Sequence, residues 1–138
     1  MPQPFHLAIP VTNLHDAEAF YGELLGCGKG RSDTQWIDWN FFGHQLVTHC
    51  VEQMPSPPSH NGVDNHAVPV PHFGVVLSMQ DWQALASKLE RADIEFVIAP
   101  YIRFKGQPGE QATMFFKDPF GNALEFKAFA DIEQLFVR

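Results

Sequence analysis

The stretch MFFKDPFGNALEF, residues 114–126, sets a run of turn-forming residues between two apolar segments. Asp118, Pro119, Gly121 and Asn122 favour a chain reversal, so the stretch reads as a hairpin joining two strands. Glu125 then places a carboxylate inside the second strand, among phenylalanines. Removing an unpaired carboxylate from water costs on the order of several kcal/mol, so this acid needs partners from elsewhere in the chain.

A second copy of the hairpin lies upstream. Residues 42–49, FGHQLVTH, align without gaps over residues 120–127, FGNALEFK, matching Gly43 to Gly121 and Val47 to Glu125. Because side chains alternate along a strand, Gln45, Val47 and His49 are expected on the face that Ala123, Glu125 and Lys127 occupy in the other copy. The similarity extends outward from the hairpins. Residues 5–26, FHLAIPVTNLHDAEAFYGELLG, and 72–93, HFGVVLSMQDWQALASKLERAD, each give an apolar strand, a turn and an amphipathic helix, with His6 and His72 in the same place. Three strand-like runs follow each helix: CGKGRS, QWIDWNFF and HQLVTHCVE in the first half, IEFVIAPYIRF, ATMFFKD and ALEFKAF in the second. Both halves are therefore expected to be βαβββ modules, and the fold class α+β.

The expected organisation is a single domain over residues 1–138. Module 1 covers about 4–53 and module 2 about 72–130, followed by a short tail at 131–138. Between the modules the Pro-rich segment 54–71 is expected to be a long connecting loop. With 45% hydrophobic and 18% charged residues, the chain has enough apolar mass for a good core. A formal charge of −7 and scattered basic residues disfavour nucleic acid. No apolar run is long enough to span a membrane, and the N-terminus lacks the basic and apolar regions of a secretory signal, so a cytoplasmic location is expected. Cys27 and Cys50 are expected to be reduced thiols.

The seven histidines all fall in the first 72 residues. His60 and His66 belong to the Pro-rich segment and are expected to be solvated. His44 is expected in a turn, pointing outward, and His15 at the start of the first helix, where it caps or hydrates that end.

Two βαβββ modules, a histidine opening the first strand of each, and the DPFGNALEF hairpin resemble the vicinal oxygen chelate superfamily, over roughly residues 5–129. That group contains glyoxalase I, fosfomycin-resistance thiol transferases, extradiol ring-cleaving dioxygenases and bleomycin-binding proteins. The resemblance implies that the modules form a cupped, barrel-like mixed sheet with helices outside. It also implies a divalent metal in the cup, with His6, His72 and Glu125 at the ligand positions. The bland alternative is that Glu125 pairs with Lys127 or Arg103 and that both histidines are hydrogen-bonded core residues.

Two imidazoles and one carboxylate leave coordination positions open, which suits Fe(II) oxygen chemistry and also Mn(II). Fe(II) is the favoured cofactor, with Mn(II), Zn(II) or Ni(II) as alternatives. In bacterial glyoxalase I a carboxylate fills a fourth position that falls here on Val47, and a valine cannot move a proton. His49, on the same face, is the candidate general base, and Gln45 and Val47 are candidate substrate contacts. Tyr101 and Arg103 alternate in the segment 100–112, expected to be a Gly-rich loop, and are candidates to meet an anionic group on a substrate. Aromatic-rich strands favour an aromatic or small hydrophobic ligand.

The expected function is a metal-dependent enzyme, an Fe(II) dioxygenase resembling the extradiol class. The alternatives are a glyoxalase-like isomerase or Mn-dependent thiol transferase, and a metal-free small-molecule binding protein resembling the bleomycin-resistance type. Short two-module members of the superfamily often complete the cup with modules from two chains, so a homodimer is expected, with a small-molecule substrate as the other partner.

Overall fold

The computed structural model describes residues 3–57, 59–63 and 66–138. The chain divides into two compact units, Met1–Pro57 with Pro119–Asn122, and Pro58–Asp118 with Ala123–Arg138.

In the first unit, β1 (His6–Val11) leads into a short α-helix, α1 (Leu14–Ala17), which continues as a π-helix over Glu18–Leu24. The side chain of Asn13, not His15, caps this helix: it accepts from the Asp16 amide, and His15 lies inside the first turn. An asparagine side-chain oxygen at the cap position accepts from an orphan amide of the first turn, whereas His15 stands two positions past the cap, inside the helix. Gly26 takes a positive φ of 75° as the helix ends. Strands β2 (Gly28–Ser32), β3 (Trp36–Phe41) and β4 (His44–Cys50) follow, in the sheet order β1-β4-β3-β2, with β1 parallel to β4. Alternation buries Ile9, Val11, Ile37, Trp39, Phe41 and Leu46 on one side of this sheet. Tyr21 from the helix lies there, its ring 6.4 Å from that of Trp39. Thr48 is fully buried on the same side, and its hydroxyl accepts from the Trp39 indole at 3.1 Å.

The second unit opens with a correction. The segment expected to be a loop carries an antiparallel hairpin, β5 (Ser59–Val63) and β6 (His66–Val70). Pro69 argued against a strand, but a two-stranded ribbon has edges on which a proline withholds no needed donor. His60 and His66 are exposed, as expected, though within strands. Next come β7 (Val76–Leu77), helix α2 (Met79–Arg91), β8 (Phe96–Arg103), β9 (Gln111–Lys117) and β10 (Ala123–Phe129). Their order is β7-β10-β9-β8, with β7 parallel to β10. Strand β8 runs through Arg103, as the strand-like run IEFVIAPYIRF predicts, so Tyr101 and Arg103 sit on a strand and the loop expected over 100–112 begins after them. Ser78 caps α2, and Trp82, Leu85, Ala86 and Leu89 are its buried residues. The Trp82 indole donates to the Phe126 carbonyl at 2.9 Å, fixing α2 against the side of the sheet where Phe116 and Phe126 stack.

The first unit is thus a βαβββ module and the second is the same module preceded by the β5–β6 hairpin, each with its helix on one sheet face, and the architecture is α+β. The repeat holds in the strand register. Leu7 pairs with Leu46 in parallel, and Phe73 bridges Leu124 in parallel, so the gap-free alignment of the two copies matches the pairing. The turns differ in length. Phe42 and Gly43 make a two-residue turn with φ of 54° and 91°, whereas five residues separate β9 from β10, with Gly121 at 92°. The longer tip belongs to the first unit, where the Asn122 amide donates to the Pro10 carbonyl at 2.8 Å.

Candidate metal centre

In the second unit the sheet face opposite α2 carries Glu125. Strand β10 pairs with β9 so that Glu125 faces Phe115 and stands diagonal to Thr113. The Thr113 hydroxyl, almost wholly buried, donates to Glu125 Oε2 at 2.6 Å. On the other side of β10 the segment before β7 runs parallel, bonding through Phe73 N–H to Ala123 at 3.1 Å and from Glu125 N–H to Phe73 at 2.8 Å. This brings the His72 ring alongside the acid, with Nε2 at 3.4 Å from Glu125 Oε1.

The tautomer of that ring, when neutral, follows from its other nitrogen. His72 Nδ1 lies 2.7 Å from the Pro69 carbonyl oxygen, which can only accept, so Nδ1 carries a proton. The remaining Nε2 of a neutral ring then offers a lone pair toward a carboxylate oxygen. Phe115 meets the imidazole edge-on, with centroids 4.8 Å apart. A charge-assisted hydrogen bond would close to about 2.7–2.9 Å. Two donors bound to one ion at about 2.1 Å lie about 3.0 Å apart at a right angle and about 3.4 Å apart at a tetrahedral one, and the pair here stands at 3.4 Å. Nitrogen plus carboxylate oxygen is also a donor set that first-row divalent ions accept. The pair therefore fits two ligands of such an ion.

His6 repeats the pattern in the first unit. Its Nδ1 is 2.7 Å from the side-chain oxygen of Gln45, its direct partner across β1 and β4, so Nδ1 donates and Nε2 is the nitrogen left for an ion. In both units a carbonyl oxygen fixes the same tautomer. Among the described residues, no group of three or more His, Cys, Asp or Glu side chains is gathered for an ion. The structure brings His72 and Glu125 together, and His6 belongs to the other unit.

The remaining candidates are distributed as follows. Val47 is buried, level with Ala8 on one side and Asp38 on the other. His49 is exposed on the same face, between Pro10 and Trp36. His44 begins β4 instead of lying in the turn, and its Nδ1 accepts from the Phe5 amide at 2.8 Å. Tyr101 packs against a cluster of Val68, Ile98, Phe115 and Ala123. Arg103 stands 5.0 Å from the centre of the Phe104 ring. With His66, both line an open cavity of about 560 Å³ along β8, a size suited to a small molecule. Sequence reasoning missed Thr113 and the Pro69 carbonyl. Thr113 was within reach through the hairpin register, but a backbone carbonyl leaves no trace in residue type.

A family model described as the glyoxalase/bleomycin resistance protein/dioxygenase superfamily matches residues 3–126. A search of curated proteins finds no match. Among solved structures, a glyoxalase/bleomycin resistance protein/dioxygenase from Alicyclobacillus acidocaldarius is 32% identical, with 97% of this chain and 96% of that one covered at a TM-score of 0.78. The fosfomycin resistance protein FosX from Listeria monocytogenes shares the fold at 13% identity, with 97% and 98% covered and a TM-score of 0.69. A glyoxalase/dioxygenase from Nostoc punctiforme does so at 15% identity, with 94% and 92% covered and a TM-score of 0.70. The duplicated module, its register and these matches agree: the chain belongs to the glyoxalase/bleomycin resistance protein/dioxygenase superfamily.

Proposed function

We propose that the protein is a metal-dependent enzyme, an Fe(II) dioxygenase of the extradiol type acting on a small aromatic or vicinal-oxygen substrate. The observation that carries this reading is the approach of His72 Nε2 to Glu125 Oε1 at 3.4 Å, with the outer atoms of both side chains tied by hydrogen bonds. His72, Glu125 and His6 hold the ion in this reading. An ion so held supplies Lewis acidity and one-electron redox chemistry, with coordination positions left open. Mn(II), Zn(II) and Ni(II) satisfy the same donors.

The chain's own residues take the other roles. The Pro69 carbonyl and the Gln45 side-chain oxygen each accept from the Nδ1–H of their histidine, so that Nε2 is the nitrogen each neutral ring turns to the ion. His49 is the proton acceptor, and Gln45 and Val47 border the substrate on the same face. Tyr101 and Arg103 receive an anionic part of the substrate in the cavity along β8. Val47 disfavours isomerase chemistry, since carbon at that position cannot relay a proton. The third donor, His6, joins the ion in a homodimer, where modules of two chains share it.

Metal analysis of protein purified without oxygen, followed by oxygen uptake with a panel of catechols, tests the reading. Stoichiometric iron and catechol-dependent uptake are expected. Stoichiometric Mn(II) with glutathione-dependent turnover under anaerobic conditions would replace it with a thiol transferase. Ligand binding without metal, unchanged in His6→Ala and His72→Ala, would replace it with a sequestering protein.

A further inference from the structure

Comparing the two copies residue by residue isolates what the second unit built around its acid. His6 and His72 are retained at the equivalent position, but Val47 stands where Glu125 stands, Trp36 where Thr113 stands and Ala8 where Gly74 stands. The carboxylate and the hydroxyl that bonds it occur together in one copy and are both missing from the other. Thr113 is only 3% exposed and directs its hydroxyl at one oxygen alone, Oε2, at 2.6 Å. The other oxygen, Oε1, is the one turned toward His72.

We propose that Thr113 is a positioning residue that holds Glu125 to one-oxygen coordination and so selects a small first-row ion over calcium. The inference rests on the metal reading above. A threonine hydroxyl has a single proton, and here Oε2 receives it, which fixes the carboxylate plane and lowers the electron density that Oε2 can offer an ion. Calcium gathers six to eight oxygens and commonly takes both from one carboxylate, whereas smaller ions bind one oxygen at shorter range. Without the hydroxyl the carboxylate turns about its last bond and both oxygens reach the ion.

The test compares the wild-type chain, Thr113→Val and Thr113→Ser by Co(II) titration, read from the visible absorption of the bound ion, with Ca(II) as competitor. Thr113→Val keeps the side-chain shape and removes the proton. Its Co(II) affinity should fall about 10–100-fold, as for other residues that orient a ligand, while Ca(II) competes more strongly. Thr113→Ser should restore both. Unchanged Co(II) affinity and unchanged competition in Thr113→Val, with normal binding by the wild type, would overturn the role of Thr113 alone. Failure of the wild type to bind Co(II) would overturn the metal reading and this inference with it. If Thr113→Val does not fold, the Co(II)-minus-apo infrared spectrum of the wild type decides. A wide gap between the two carboxylate stretches supports one-oxygen binding, and a narrow gap contradicts it.

Discussion

Gly74 is the position at which the structure makes its sharpest demand. A Cβ built there would overlap the Glu125 carbonyl oxygen and lie 2.6 Å from its carbon. Carbon atoms in contact sit about 3.5–4.0 Å apart, so Gly74→Ala must drive the strand away from β10 by roughly 1 Å or more. Two hydrogen bonds flank the contact, Phe73 N–H to Ala123 and Glu125 N–H to Phe73. Each is worth about 0.5–1.5 kcal/mol net, and overpacking adds about 1–3 kcal/mol. The expected loss is therefore about 2–6 kcal/mol, and at about 4 °C per kcal/mol for a domain of this length the melting temperature falls by roughly 8–24 °C. Thermal and urea denaturation of the variant measure it. Ala8, the equivalent residue in the first unit, already carries a Cβ beside Val47, so Ala8→Gly should cost only about 0.5–1 kcal/mol. A Gly74→Ala variant within about 0.5 kcal/mol of wild type would refute the steric account and, with it, the claim that close approach of these strands sets His72 against Glu125.

Three further outcomes follow from the same contacts. Leu89→Ala, at a fully buried position on α2, should lose about 2–5 kcal/mol in urea unfolding. Ser78→Ala removes the oxygen that accepts from the Asp81 amide and should cost about 0.5–2 kcal/mol, with Ser78→Asp retaining most of the stability. His49→Ala should lower turnover about 100-fold or more while leaving bound metal per chain unchanged. Loss of metal from that variant would instead make His49 a ligand.

The fold was legible because the duplication is written twice in one sequence. Aligning Gly43 with Gly121 located both hairpins, and the pairings of Leu7 with Leu46 and Phe73 with Leu124 show the same register in space. The hairpin β5–β6 was not legible, because Pro69 and the surrounding prolines resemble loop composition and a ribbon edge tolerates them. The cap of the first helix fell on Asn13 rather than His15, a choice set by backbone geometry that residue type alone leaves open. Within the candidate centre, His72 and Glu125 were located by the repeat. Their supports were not, since the Pro69 carbonyl is common to every residue type and Thr113 acts only through the strand register. The contact of the Gln45 oxygen with His6 was not legible either, since it depends on the pairing of β1 with β4.

X-ray absorption of the Fe(II)-loaded protein, measured at the iron edge, tests the central claim most directly. Two imidazole nitrogens and a carboxylate oxygen on one ion predict the outer-shell scattering of two histidine rings, falling to one ring in either His6→Ala or His72→Ala. A spectrum with no imidazole scattering, or one that neither substitution alters, would contradict it.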